Sequence, residues 1–410
     1  MGCCEKKKPQ QLLENNPSQK NNEEETSELS TIKISYSDFE PLYLIGTGSL
    51  GKVILVRYNK NKTIYAMKEL SKTKIKLNKQ EEHSKSERDL MVALSSPFIV
   101  NIKLAFQDEN KLYIVSEFLQ GGDMFFHMHH STINLTESTV KFYIIEIILA
   151  LEFLHENNVI YRDLKPENIL MDREGHIKIS DFGLSKKIEN PKDKAYTLCG
   201  TLQYLAPEIL KNKGYDKTVD FWSLGCIYYE MITGKKPFNI KGNKINPNVF
   251  EEKINFDENM NPILVNLISQ LLSTNPKKRL GYGVNGIKKI KEHPYFNDID
   301  WNKYLNKEIE PPFVPKLESE LDLRYFDKCF TDEPVNSNRT TIHSRSNATS
   351  EYNGFTYLAQ SVENIIECDK HEKEEGKEKE EEKEEEKDKE KEEEEEHIHI
   401  QEQEQEQELL

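Results

Sequence analysis

Over the first third of the chain the apolar residues come in short runs with a period near two. These are LYLIGTG (42–48), GKVILVRY (51–58), TIYAMKEL (63–70), IKLAFQ (102–107) and KLYIVSEF (111–118). They are rich in β-branched and aromatic residues, and predict five strands. Between the third and fourth lies NKQEEHSKSERDLMVAL (78–94), helical in composition. From Glu137 onward the period lengthens to that of a helix, over 137–157, roughly 218–233 and 261–273. A strand-rich part followed by a helical part predicts an α+β body of two lobes, about 39–117 and 118–296, hinged near Glu117–Gly122. Beyond Phe296 the pattern is irregular, with EPPFVPKL (310–317) and isolated aromatics.

Composition adds tails to this body. Residues 1–38 are polar with little periodicity and predict a disordered leader, and 361–410 predict an acidic low-complexity tail. From Asp369 to Leu410 there are 22 acids against eight lysines, a net of −14 out of the chain's −16, so the body is nearly neutral. No basic domain or RNA-binding motif is present, which argues against a nucleic-acid partner. The tail carries Glu–Lys pairs at helical spacing but no apolar seam, so it reads as solvated rather than as a coiled coil. Six scattered cysteines (3, 4, 199, 226, 329 and 368) have neither metal-ligand nor disulfide-framework spacing. With no apolar segment in residues 2–38 and a longest greasy run cut by Glu146, an intracellular, reduced protein is expected.

Chemistry concentrates in YRDLKPEN (161–168), five polar or charged groups at the end of an apolar helix pattern. A surface loop would scatter such residues and a core would exclude them, so a site is indicated. GTGSLGKV (46–53) sits between two strand patterns, where glycines would let a backbone close over phosphates; a plain glycine turn is the alternative. Lys68 stands in an otherwise apolar strand and is costly to bury unless paired. Glu87, on the helix that follows, offers a partner, although by itself it would read as a solvated helix acid. DFG (181–183) and APE (206–208) follow.

In this order, glycine loop, Lys68, Glu87, YRDLKPEN, DFG and APE resemble the eukaryotic protein kinases. The resemblance implies the bilobal kinase fold, with ATP and Mg²⁺ as cofactors and Ser/Thr phosphorylation as the activity. It implies that Asp163 is the base beside the attacking hydroxyl, Lys165 a cation near the transferring phosphoryl, and Asn168 and Asp181 oxygen ligands of the metal. The nucleotide would be held by Gly46, Thr47, Gly48, Ser49, Leu50, Gly51, Lys52, Val53, Ala66, Lys68, Glu87, Ser116, Glu117 and Leu119. Ser116 matches the position that guards the space behind the adenine, where a larger side chain is usual. Asp220 matches the residue that holds the catalytic loop's backbone, and Glu208 and Arg279 match a buried ion pair. A kinase-shaped scaffold recruiting partners through the acidic tail is the alternative from another class; intact Lys68, Asp163 and Asp181 weigh against it. A small-molecule kinase would have no use for the APE segment.

TLCGTLQYLAPE (197–208), the linker 293–317, YFDKCFTDEPV (325–335) and YNGFTY (352–357) resemble the AGC group, whose C-terminal segment would span 297–360. Within it, protein kinase B and the serum- and glucocorticoid-regulated kinase are most alike. Leu202-Gln203 replaces that group's Pro-Glu, and Tyr352 its first motif Phe. The resemblance implies that Asp123, Glu167 and Glu230 hold arginines upstream of the acceptor. Leu198, Leu202 and Leu205 would line an apolar pocket after it, and Thr201 would contact Asp163 and favour Ser/Thr. Thr197 and Thr356 are the expected activating phosphorylation sites, the first pairing with Arg162 and reaching toward His83. The implied partners are basic protein substrates and an upstream phosphoinositide-dependent-kinase-like activator, with the enzyme a monomer.

The chain opens MGCCEKKK. Gly2 is an acceptor for myristate and Cys3 and Cys4 for palmitate, although Lys6 stands where Ser or Thr is usual. One acyl chain binds marginally, so a second chain or the Lys6–Lys8 patch is needed for anchoring to the cytoplasmic face of a membrane. Without acylation the enzyme would be cytoplasmic, with residues 1–38 simply a leader that begins Met-Gly.

Overall fold

The five predicted strands form one antiparallel sheet in a computed structural model that describes residues 34–190, 193–240, 247–335, 352 and 354–362. They are β1 (Phe39–Thr47), β2 (Gly51–Tyr58), β3 (Ile64–Ser71), β4 (Ile102–Gln107) and β5 (Lys111–Glu117), in the order β1-β2-β3-β5-β4. Between β3 and β4 run α1 (Lys72–Leu77) and α2 (Glu81–Ala93). The short α1 was not expected; the Ser71 hydroxyl starts it by accepting from the Lys74 backbone N–H. Alternation on β5 separates two cores. Tyr113 and Val115 join Phe39, Phe106 and Met67 in a cluster on one face. Leu112 and Ile114 turn to the main core with Leu90 and Met91 of α2.

The second lobe begins with α3 (Met124–His129) and α4 (Glu137–Glu156), then β6 (Val159–Ile160), β7 (Ile169–Met171), β8 (Ile177–Ile179) and β9 (Lys186–Lys187). It continues through α5 (Pro207–Leu210), α6 (Thr218–Thr233), α7 (Pro262–Leu271), α8 (Gly286–Lys291) and α9 (Trp301–Leu305). Strands β6 and β9 pair, as do β7 and β8. At two or three residues each they are too short to show a period. Helix α4 is buried almost all round, and the Glu146 that interrupts its apolar run is fully buried too. It accepts from His176 Nδ1 at 2.6 Å and the Ile177 N–H at 2.9 Å, so it ties α4 to β8. Burial raises its pKa, and the His176 contact opposes that rise.

The C-terminal segment then returns to the first lobe. It wraps the hinge, forms α10 (Lys328–Thr331) beside β1, and adds β10 (Tyr357–Leu358) to the free edge of β4. Tyr352 and Phe355 are buried in the main core and Val362 in the aromatic cluster. Among the described residues no helix is long and apolar enough to cross a membrane. Gly2, Cys3 and Cys4, and the acidic tail from 363 onward, lie outside the described residues.

Candidate active site

The YRDLKPEN loop leaves β6 into a backbone held by one buried carboxylate. Asp220, fully buried on α6, accepts from the Tyr161 N–H at 3.0 Å, the Arg162 N–H at 2.8 Å and His155 Nε2 at 2.7 Å. Arg162 takes the left-handed backbone region there, φ +71°, a cost the Asp220 bonds offset. The turn presents Asp163 in the cleft with both carboxylate oxygens engaged. Thr201 Oγ1 donates to Oδ1 at 2.9 Å, and Lys165 Nζ and Asn168 Nδ2 donate to Oδ2 at 2.7 and 3.1 Å. A second bond from Asn168 Nδ2 to the Asp163 carbonyl, 2.8 Å, fixes the amide, so the nitrogen faces Asp163 and the oxygen is left as the hard donor. The sequence expectation that Thr201 touches Asp163 matches this geometry.

Across the cleft, Lys68 Nζ lies 2.6 Å from Glu87 Oε1 and 3.0 Å from Asp181 Oδ1. Burial disfavours the ammonium, but Asp181 and Glu87 outweigh it and raise the Lys68 pKa. Lys68 in turn holds the Asp181 carboxyl below its ordinary value. Glu87 is buried, which raises its pKa, while the Lys68 ammonium 2.6 Å away opposes that rise. Asp181, φ +54°, leaves its carboxylate 45% exposed toward the cleft. One carboxylate and one amide oxygen are what Mg²⁺ asks of a protein when phosphates and water complete its shell. Among the described residues no cluster of three or more His, Cys, Asp or Glu side chains gathers to hold a metal unaided. The residues present therefore fit a phosphate-bridged cation.

The glycine turn fits a nucleotide for reasons that differ residue by residue. Gly48, whose N–H bonds the Gly51 carbonyl at 2.8 Å, has open space where a Cβ would stand, so backbone can approach a phosphate there. Gly51 is required by β3 instead: a Cβ would fall 1.7 Å from the Glu69 carbonyl oxygen. Thr47 and Ser49 are exposed at the turn, Gly46 and Val53 flank it half-buried, and Leu50 packs against the main core. The side chain of Lys52 reaches the Val335 carbonyl of the C-terminal segment. The Glu117 carboxylate is taken by Lys178 (2.7 and 2.8 Å) and Asn101. Ala66 pairs with Ser116 across β3 and β5, both half-buried, and Leu119 is buried just beyond. Phe326 stacks on the hinge Phe118 at 5.6 Å, so the C-terminal segment packs against the hinge.

The family description "Protein kinase domain" matches residues 39–296, and "Protein kinase C terminal domain" matches 317–357. The chain belongs to the protein kinase family; it is a serine/threonine kinase of the AGC group. It is 43% identical over 332 residues to a RAC family serine/threonine-protein kinase homolog of Dictyostelium discoideum, covering 80% of this chain and 74% of that one. It is 43% identical to the serine/threonine-protein kinase gad8 of Schizosaccharomyces pombe over 78% of this chain and 56% of the relative. It is 42% identical to the mouse ribosomal protein S6 kinase alpha-2, over 80% of this chain but 45% of the relative. Such even identities do not single out the protein kinase B subgroup. A kinase domain uses ATP with a divalent metal. The scaffold alternative finds no support among relatives that are themselves named as kinases.

The kinase's expected substrate acids have different surroundings. Glu167 is exposed. Asp123 caps α3, accepting from the Phe126 N–H at 2.7 Å, and burial with the nearby Glu167 charge raises its pKa to about 6. Glu230 is buried and already bonded to Tyr204. The three leucines also divide: Leu205 is buried in the core, Leu202 half-buried against it and Leu198 65% exposed. Thr197 is exposed on its loop. The Arg162 guanidinium bonds the Leu184 and Ser185 carbonyls and Tyr215 Oη, and Tyr215 donates to the Thr197 carbonyl at 2.7 Å. Tyr215 is the link that sequence reasoning missed. His83 on α2 keeps a buried Nδ1 without a partner among the described residues. Thr356 is exposed between the buried Phe355 and β10.

Proposed function

We propose that this AGC kinase phosphorylates Ser or Thr in arginine-containing proteins, and that phosphorylation of Thr197 and Thr356 activates it. The observation that carries the reading is the joint geometry of Lys68, Glu87 and Asp181 on one side of the cleft and Asp163, Thr201 and Asn168 on the other. ATP with Mg²⁺, when bound, supplies the transferable phosphoryl group and the charge that stabilises its departure. Asp163 accepts the proton of the acceptor hydroxyl, oriented by Thr201 and Asn168. Lys165 places a positive charge beside that oxygen. Asp181 and the Asn168 amide oxygen would hold the metal and Lys68 would steady phosphate oxygens, while Glu87 keeps Lys68 aimed. Asp123 and Glu167 attract guanidinium, which carboxylates can bind through paired charge-assisted bonds.

On Thr197 a phosphate would add charge beside Arg162 and toward His83, joining loop and α2; on Thr356 it would act through docking on the first lobe. An upstream phosphoinositide-dependent-kinase-like enzyme suits Thr197. Anchoring through Gly2, Cys3 and Cys4 would place the enzyme at a membrane. The kinship with protein kinase B and its serum-regulated relative rests on FTDEPV followed by YNGFTY.

Purified protein should phosphorylate Ser or Thr peptides carrying upstream arginines far better than their alanine or Tyr-acceptor counterparts; equal rates on all would refute the substrate reading. Mass spectrometry of active enzyme should find Thr197 modified, and Thr197→Ala retaining full activity would refute activation. Wild type should pellet with membranes and Gly2→Ala should not; a wholly soluble wild type would refute the anchor alone.

A further inference from the structure

Glu230 lies in the last turn of α6, and its carboxylate is already in cationic company. Tyr204 donates to Oε2 at 2.7 Å. Lys236 Nζ lies 3.9 Å from Oε1, 3.3 Å from Tyr204 Oη, and 4.7 Å from the Tyr204 ring centroid. A carboxylate beside an aromatic face is what a peptide guanidinium would seek, and here the chain's own ammonium sits on both. Its approach is built in. Gly234, φ +67°, ends α6 with its N–H on the Glu230 carbonyl, and Thr233 Oγ1 accepts from the Lys235 N–H at 3.1 Å. Phe238 just beyond stacks on Trp222, pinning the backbone on the other side of Lys236. Among the described residues neither Asp123 nor Glu167 makes a salt bridge to any lysine or arginine.

We propose that Lys236 is a specificity-determining residue: an internal cation that sits on the Glu230–Tyr204 pair and suppresses this kinase's preference for an arginine there. Arginine selection then rests on Asp123 and Glu167. The Lys236 side chain is 37% exposed and only loosely paired, so an incoming guanidinium can displace it, but the net gain from doing so is small. This deepens the reading of Glu230 as a substrate acid and rests on it.

The test uses the full chain and a peptide set in which each position upstream of the acceptor is in turn Arg or Ala. In wild type the Glu230-linked position should prefer Arg by no more than about threefold in kcat/KM. Lys236→Ala and Lys236→Met should each raise that preference to about tenfold or more, at that position alone. Adding Glu230→Gln to either should abolish the gain. If both Lys236 variants keep the wild-type profile while Glu230→Gln alone weakens one arginine preference, the Lys236 proposal fails and the Glu230 reading stands. If Glu230→Gln changes nothing in either background, Glu230 is not a substrate acid and both fall.

Discussion

Asp163 has both oxygens occupied by donors from three residues, whereas Ser116 carries only a short side chain opposite Ala66. If the adenine lies where the kinase resemblance implies, that short side chain would leave an apolar slot behind it. Inhibitors with a bulky group on a purine-like ring should therefore bind wild type and lose at least about tenfold in potency against Ser116→Met, the order expected for a buried steric overlap; equal potency would mean the slot is absent. Asp123 supplies a pH test. With its pKa raised to about 6, it is a carboxylate at neutral pH and becomes neutral as pH falls through that value. The kcat/KM ratio of an Arg peptide to its Ala counterpart should fall between neutral pH and about pH 5, and Asp123→Asn should flatten the trend. A ratio independent of pH in wild type would exclude Asp123 as an arginine ligand. The catalytic groups were legible because spacing within one short stretch announces them. Lys236, Tyr215 and the His176 partner of Glu146 were not, since each gains meaning only from a residue that folding brings close.

At the scale of elements, α2 is placed by contacts from both ends of the chain's fold. Lys68 grips Glu87 on one side, and the YNGFTY segment packs on the other. Arg88 donates to the Gly354 carbonyl and lies over the Phe355 ring, and Gln107 Nε2 donates to the Tyr352 carbonyl at 2.9 Å. Phe355 is fully buried, so Phe355→Ala should cost about 3–5 kcal/mol of local docking. Hydrogen exchange in α2 and β4 should rise and kcat fall; unchanged α2 protection would mean that the segment does not position the helix. The five strands and three long helices were visible because periodicity over six or more residues outweighs local noise. The two- and three-residue strands β6–β9 carry no period, and β10 exists only because β4 offers an unpaired edge.

On the scale of the whole molecule, the second lobe is a frame around the catalytic loop. Arg279 meets Glu208 bidentately at 2.6 and 2.9 Å and donates to the Thr218 carbonyl, fixing the APE segment to α6, which also supplies Asp220. Glu208→Ala strands a buried guanidinium and should lower stability by about 3–5 kcal/mol, seen as a drop in unfolding midpoint; an unchanged midpoint would show the pair to be dispensable. Lobe order and hinge position were readable from the change of period near Glu117, but not how the C-terminal segment returns to close the sheet. That all these parts serve phosphoryl transfer from ATP is decided at Asp163. Asp163→Asn keeps the shape and the Asn168 and Thr201 neighbours but removes the proton acceptor. Peptide phosphorylation should fall by at least about a hundredfold, the range general-base loss produces, with nucleotide affinity unchanged. Near-wild-type turnover by Asp163→Asn would contradict the assignment.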